Sequence, residues 1–228
     1  MDKSETGKYL KYAVGEIFLV VVGILIALSI NNWNEGRKKK NTLKNIYSII
    51  ADDIRNDAGE VTIALNFMKV RKSLFKKILN DSITTEYLRD NEIIPAILTD
   101  IRILNIERRG YNLLRNFENS TTAEKDSLAF RIINFYTSSI FYSEKVENLI
   151  LEDLIKTNDL WKGKNWYAKL QQDEVPESYI SYMVMNQEFK NLCAFRYTLY
   201  YDNYEPTIEQ FRQGSERILK DIELRFKD

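Results

Sequence analysis

The sequence predicts an all-α protein: one N-terminal transmembrane helix followed by a helical bundle with a long first helix. Three observations predict it. Residues 12–30 read YAVGEIFLVVVGILIALSI, a single apolar stretch closed by NNWNEGRKKK. Eight Gly and three Pro in 228 residues leave few turn formers for hairpins or sandwich loops. Downstream, apolar residues recur at alternating three- and four-residue spacing, the period of one helix face. The chain divides into a short tail (1–11), the transmembrane helix (12–33), a basic flank (34–40) and a helical domain (41–228).

The apolar stretch has the features of a membrane span. As helix, Tyr9 to Trp33 covers roughly 36 Å at about 1.5 Å per residue, enough for a hydrocarbon core of about 30 Å. Tyr9 and Tyr12 before it and Trp33 after it are anchors for the two membrane–water interfaces. A cleavable signal peptide is the competing reading, with Lys3, Lys8 and Lys11 as its basic start and Ala27-Leu28-Ser29 as small residues for cleavage. The length from Tyr12, the acidic Glu16 inside the stretch and the RKKK cluster after it favour an uncleaved anchor. Lys3, Lys8, Lys11 and the α-amine balance Arg37, Lys38, Lys39, Lys40 and Lys44 to within one charge. Positive-inside counting therefore leans to a cytoplasmic domain without settling topology.

Two features inside the span invite a role beyond anchoring. Gly15, Gly23 and Ala27 share an i, i+4 stripe with Leu19, and small residues in such rows let membrane helices pack closely. The same residues are common in membrane helices generally. Glu16 is either a partner-seeking intramembrane carboxylate or an interfacial acid near a helix N-terminus, where the dipole favours it. The second reading is preferred, with Lys11 and Tyr12 close by.

The 24 residues YAVGEIFLVVVGILIALSINNWNE resemble the opening signature of a family of uncharacterised bacterial membrane proteins, frequent in Bacteroidota, that carry a domain of unknown function. The rest of the chain matches that family only in character. Ser29 stands where the family usually has Gln, and the strongly basic leader of many members is missing, which leaves orientation open. The resemblance implies an inner-membrane anchor with a periplasmic helical domain, and no known activity or ligand.

A long helix is expected after Gly36. Leu43, Tyr47, Ile50, Ile54, Val61, Ala64, Met68, Phe75 and Ile78 form a seam over about five heptads, interrupted only by Asp57 and Arg71. The seam suits either a parallel coiled-coil stalk in a dimer or the first helix of an intramolecular bundle. Ile46, Ile49, Ile63, Leu65 and Phe67 widen it and favour the bundle. Gly59 is a place for a bend. Asn80-Asp81-Ser82 ends the helix, and Pro95 opens a short helix over Ala96–Leu104. Gly110 and Asn116–Thr122 are punctuation. Thr121 to Glu124 has capping-box spacing before a helix running to about Thr157. Trp161–Glu177 is a loop whose Trp161 and Trp166 form a lid or cap the bundle. A helix spans Ser178–Tyr204, and Pro206 opens the last, ending near Phe226.

Chemistry is sparse. The absence of His removes the commonest general base and zinc ligand. The single Cys193 permits no internal disulfide and reads as a small core residue. No phosphate loop, nucleophile elbow or metal cluster is present. The acidic pairs Asp52-Asp53 and Glu152-Asp153 are adjacent, so the two members do not face each other on a helix. No catalytic, cofactor-binding or metal-ligating residue is assigned, and no cofactor is expected. The net charge of zero argues against nucleic acid as a partner. The best site candidates are Tyr197, Tyr200, Tyr201 and Tyr204, as a ligand or protein interface; aromatic packing in the core is the stronger reading. The expected partners are membrane lipid, a second copy through the transmembrane or first long helix, and an unidentified protein. The leading function is a non-enzymatic binding or scaffolding role in the bacterial cell envelope. A sensor-like ligand-binding domain signalling through a partner is the alternative, and an enzyme of unrecognised class comes third.

Overall fold

In a computed structural model, every regular element among the described residues is helical. The structure describes residues 3–90, 94–120 and 126–226; the side chains of 3–11, 13, 119 and 120 are outside that description. Tyr9, the lysines at 3, 8 and 11 and the Thr121–Glu124 capping pattern therefore fall outside it. The elements in order are α1 (Lys3–Leu79), α2 (Thr85–Arg89), α3 (Arg109–Ser120), α4 (Ser127–Trp161), α5 (Tyr167–Leu170), α6 (Glu177–Met185), α7 (Gln187–Tyr197), a π-helical segment (Thr198–Tyr204) and α8 (Glu205–Arg225).

Helix α1 is 77 residues long and does not restart after Gly36. One interior Gly costs about 1 kcal/mol against Ala, and the neighbouring Glu, Arg and Lys are good helix formers. The stop at Asn80-Asp81-Ser82 is a Schellman cap: Asp81 is left-handed (φ 54°), Ser82 N–H donates to Lys77 O at 2.9 Å, and Asp81 N–H to Ile78 O at 3.2 Å.

The chain forms two compact units, Met1–Ser48 and Ile49–Asp228. In the first, the apolar stretch is long and apolar enough to cross a membrane, and none of its apolar window is buried. Tyr12 is 79% exposed and Trp33 67%. The Arg37 guanidinium lies 5.6 Å over the Trp33 ring.

In the second unit the seam is filled by the chain's own residues. Ile50, Ile54, Val61, Ala64, Met68, Phe75 and Ile78 are all buried, and so is the interrupting Asp57. Gly59 is exposed and stays helical. Between α2 and α3 the expected helix over 96–104 does not form: turns occupy 94–99, and residues 100–108 have no regular structure. Gly110 and residues 116–120, expected as punctuation, lie instead in α3. Gly110 sits in its first turn because a Cβ there would lie 2.5 Å from Ile50 Cγ1 and 2.8 Å from Ile50 N; its absence permits backbone contact between α3 and α1.

Helix α4 starts from Asp126, whose Oδ1 accepts from Leu128 N–H at 2.9 Å. It runs to Trp161, past the expected end at Thr157. The expected helix 178–204 is cut at Asn186, which turns extended (ψ 120°) and caps α7 by accepting from Glu188 N–H at 2.8 Å. Beyond it, α7, the π segment and α8 keep helical dihedrals at their junctions. Pro206 in the first turn of α8 has no N–H to give and its ring presses on the preceding turn; the wider π turn accommodates it without ending the helix. Helices α4 and α8 meet where Phe135 stacks on Phe211 (5.5 Å) above Gly214.

Candidate functional site

The polar side chains of this bundle converge on the irregular connector 94–108. Four of its attachments descend α1 in order. Arg71 pairs with Asp100. Glu60 accepts from Arg102 Nη2 at 2.6 Å. Asp57 Oδ1 accepts from Glu107 N–H at 3.0 Å. Asp53 Oδ2 accepts from Gly110 N–H at 2.7 Å, and its Oδ1 from Arg109 Nη2 at 3.1 Å. Residues 100 to 110 thus run antiparallel to residues 71 to 53. Eighteen helical residues rise about 27 Å. Ten residues reach that only when nearly extended, at about 3.3 Å each, whereas as helix they would cover about 15 Å. This is why the segment after Pro95 is not a helix.

The other helices hold the connector from behind. Glu147 Oε1 on α4 accepts from Tyr204 Oη–H at 2.7 Å and from Leu104 N–H at 3.3 Å. Tyr179 Oη–H donates to Pro95 O at 2.8 Å. Arg196, fully buried, donates to Leu98 O at 3.1 Å and pairs with the buried Asp153 at 2.6 Å. Leu104 and Ile106 fill the core below. Backbone groups that a helix would have satisfied internally are satisfied here by side chains.

Asp57 and Asp53 lie one helical turn apart and differ in compensation. Asp53 has the Arg109 guanidinium. Asp57 is 1% exposed, its Oδ2 has no hydrogen-bond donor among the described residues, and its charged neighbours Glu107, Asp53 and Glu60 are acidic. Burial, reinforced by those carboxylates, pushes its pKa up to about 7. Glu147 is also raised, by burial, against the hydrogen bonds from Tyr204 and Leu104.

The tyrosine candidates are distributed through the core. Tyr200, Tyr201 and Tyr204 are buried within the π segment, and Tyr201 Oη–H donates to Met68 O at 2.8 Å. Tyr197 is half-buried, with its ring 4.6 Å from that of Tyr201. A cavity of about 180 Å³ between α1 and α8 and two open clefts beside α4 have no lining from these four. Trp161 and Trp166 are buried with Tyr179 and Tyr182 in an aromatic cluster. Trp161 Nε1–H donates to Tyr182 Oη at 3.1 Å. Cys193 is buried and its thiol pKa is raised by desolvation, which suits a core residue. Gly15 and Gly23 have open space where a Cβ would stand, and Glu16 and Ala27 are exposed.

A model of a family of unknown function, DUF6090, matches residues 16–153. The chain belongs to this family. No curated protein and no solved structure matches it. The DUF6090 match takes in the apolar stretch and α1 from Glu16 onward, α2, α3 and α4 as far as Asp153. It therefore covers the connector and its carboxylate anchors Asp53, Asp57, Glu60 and Glu147, while Arg196 and Tyr204 lie beyond it. The residues that sequence reasoning missed are these anchors. Their signals were the break in the apolar seam at Asp57 and the acidic pairs. One member of each pair is buried (Asp53, Asp153) and the other exposed (Asp52, Glu152).

Proposed function

We propose that the chain is a single-pass, membrane-anchored helical protein of the bacterial cell envelope whose bundle binds or scaffolds another protein. The observation that carries the anchor is the uncovered apolar stretch of α1. Every large apolar residue that the structure describes from Val14 to Ile30, apart from Val22, is about half exposed or more. Apolar surface on that scale is stable only against lipid or another apolar face. Tyr12 and Trp33 suit the two interfaces, and the Arg37–Lys40 cluster suits anionic headgroups. The non-enzymatic part rests on what the polar groups do: the buried acids and Arg196 hold the chain's own connector.

The test has two parts. The full chain should stay in the membrane fraction through alkaline carbonate and high-salt washes; release by either would remove the anchor. Alkaline phosphatase fused at the C-terminus reports the side of the domain: activity means export, and inactivity with normal expression means the cytoplasm. A binding role predicts that the detergent-solubilised chain co-migrates with a partner above its own 26.9 kDa plus micelle. Migration always alone argues against it. The sensor reading has one observation in its favour: α1 carries both the apolar stretch and the face on which the connector docks.

A further inference from the structure

Among the described residues, the connector is held on α1 and α4 by two buried carboxyls with no cation of their own. We propose that Asp57 and Glu147 form a proton-closed latch: with both carboxyls protonated the connector lies against α1 and α4, and their ionisation loosens it.

The geometry argues as follows. Leu104 N–H donates to Tyr204 Oη at 2.5 Å and reaches Glu147 at 3.3 Å, and Tyr204 Oη–H in turn donates to Glu147 at 2.7 Å; Glu107 N–H, three residues on, is received by Asp57 at 3.0 Å. A protonated carboxyl still accepts these N–H groups through its carbonyl oxygen, so closing the latch needs no charge. An ionised Asp57 would sit among Asp53 and Glu60 from α1 and Glu107 from the connector, with the buried Tyr136 hydroxyl of α4 within reach of its charge. The nearby Arg109 is on Asp53, and Arg102 is on Glu60. Glu147 has Glu144 on its own helix and Arg108 on the connector, and these two pair with each other at 2.6 Å. Tyr204 completes its surroundings. Neither acid has a cation to itself, so each charge is better accommodated where water can reach it, with the connector lifted.

The sign follows from the raised carboxyls. The closed state holds a proton on Asp57 that an open, solvated state would release between about pH 4 and 7, and burial raises Glu147 in the same direction. Opening therefore becomes easier as pH rises through that window and levels off above it, and acid tightens the latch.

The test is amide hydrogen exchange on the full chain in detergent from pH 4.5 to 8, corrected for intrinsic exchange. The peptide covering 101–108 should lose protection by up to about tenfold per pH unit for each proton released, flattening above about pH 7. It should exchange ahead of α4 at every pH. Asp57→Asn and Glu147→Gln keep an acceptor oxygen; each should reduce the slope, and together they should abolish it. Protection that is flat with pH in the wild-type chain overturns the proposal without any variant. So does a slope that survives in the double variant, or a connector that exchanges only together with α4.

Discussion

Gly110 offers the sharpest test of how the connector is delivered to α1. In an isolated helix, Gly→Ala stabilises by about 1 kcal/mol. At Gly59, exposed in α1 with nothing within 4 Å of the added methyl, that gain should be realised: Gly59→Ala should be about 1 kcal/mol more stable than wild type. At Gly110 the methyl would meet Ile50 Cγ1 at 2.5 Å, Ile50 N at 2.8 Å and Ile50 Cα at 2.9 Å. Two of these are backbone atoms inside a long helix and cannot rotate away. Overpacking of this kind costs about 1–3 kcal/mol. Pushing α3 off α1 also lengthens the Gly110 N–H to Asp53 bond, and a hydrogen bond to a charged group is worth about 1.5–3 kcal/mol. Set against the helix gain, Gly110→Ala should lose about 2–4 kcal/mol. The same substitution at two helical glycines should therefore move stability in opposite directions. Urea unfolding of the full chain in detergent reads this through the fluorescence of the buried Trp161 and Trp166, with the slope checked for constancy. A Gly110→Ala chain as stable as wild type would refute the close approach of α3 and α1.

Three further outcomes are expected. Asp153→Ala strands the fully buried Arg196 charge and should cost about 3–5 kcal/mol, while the double change Asp153→Ala with Arg196→Met should recover most of it; equal losses would mean the pair is not buried as described. Gly214→Ala drives a methyl into the Phe135 ring where α4 crosses α8, and thermal melts should show a loss of about 1–3 kcal/mol. Because the folded-state pKa of Asp57 is raised from 3.8 to about 7, the stability it confers is fully present below pH 3.8 and is lost as pH rises to 7, by at most about 4 kcal/mol, so Asp57→Asn should gain on wild type in urea melts at pH 8 but not at pH 4.

The helical class and the long first helix were legible because they rest on local signals: few Gly and Pro, a three-and-four apolar period, and the Asn80-Asp81-Ser82 stop. The fold between α2 and α4 was not. Gly110 reads locally as a turn former, yet it is helical and small because Ile50, sixty residues earlier, occupies the space of its side chain. Residues 96–104 read as helix by composition, but the span they cover along α1 demands an extended chain. The tyrosine cluster was legible as aromatic packing. What the π segment adds, buried hydroxyls that hold Met68 O and Glu147, depends on partners far away in sequence. Asp53 was visible only as half of an acidic pair, and nothing local says which half faces inward.

The two breaks in the apolar seam of α1 lead to one feature. Asp57 and Arg71 were the only polar residues in a series that otherwise fits a packed helix face, and each attaches the connector, Asp57 at Glu107 and Arg71 at Asp100. An apolar side chain at either place would pack as well and avoid burying charge. Swapping a buried ionic group for a hydrophobic one is often neutral or stabilising. Stability alone therefore does not explain the pair. What they supply is position: apolar contacts tolerate sliding along a helix, whereas a backbone N–H on Asp57 and a guanidinium on Asp100 fix which connector residue lies over which turn. Arg71 has an oppositely charged partner in Asp100, while the charged neighbours of Asp57 are acidic. The attachment near Asp100 is an ion pair and the one near Glu107 is not, so proton release from Asp57 should free the connector near Glu107 first.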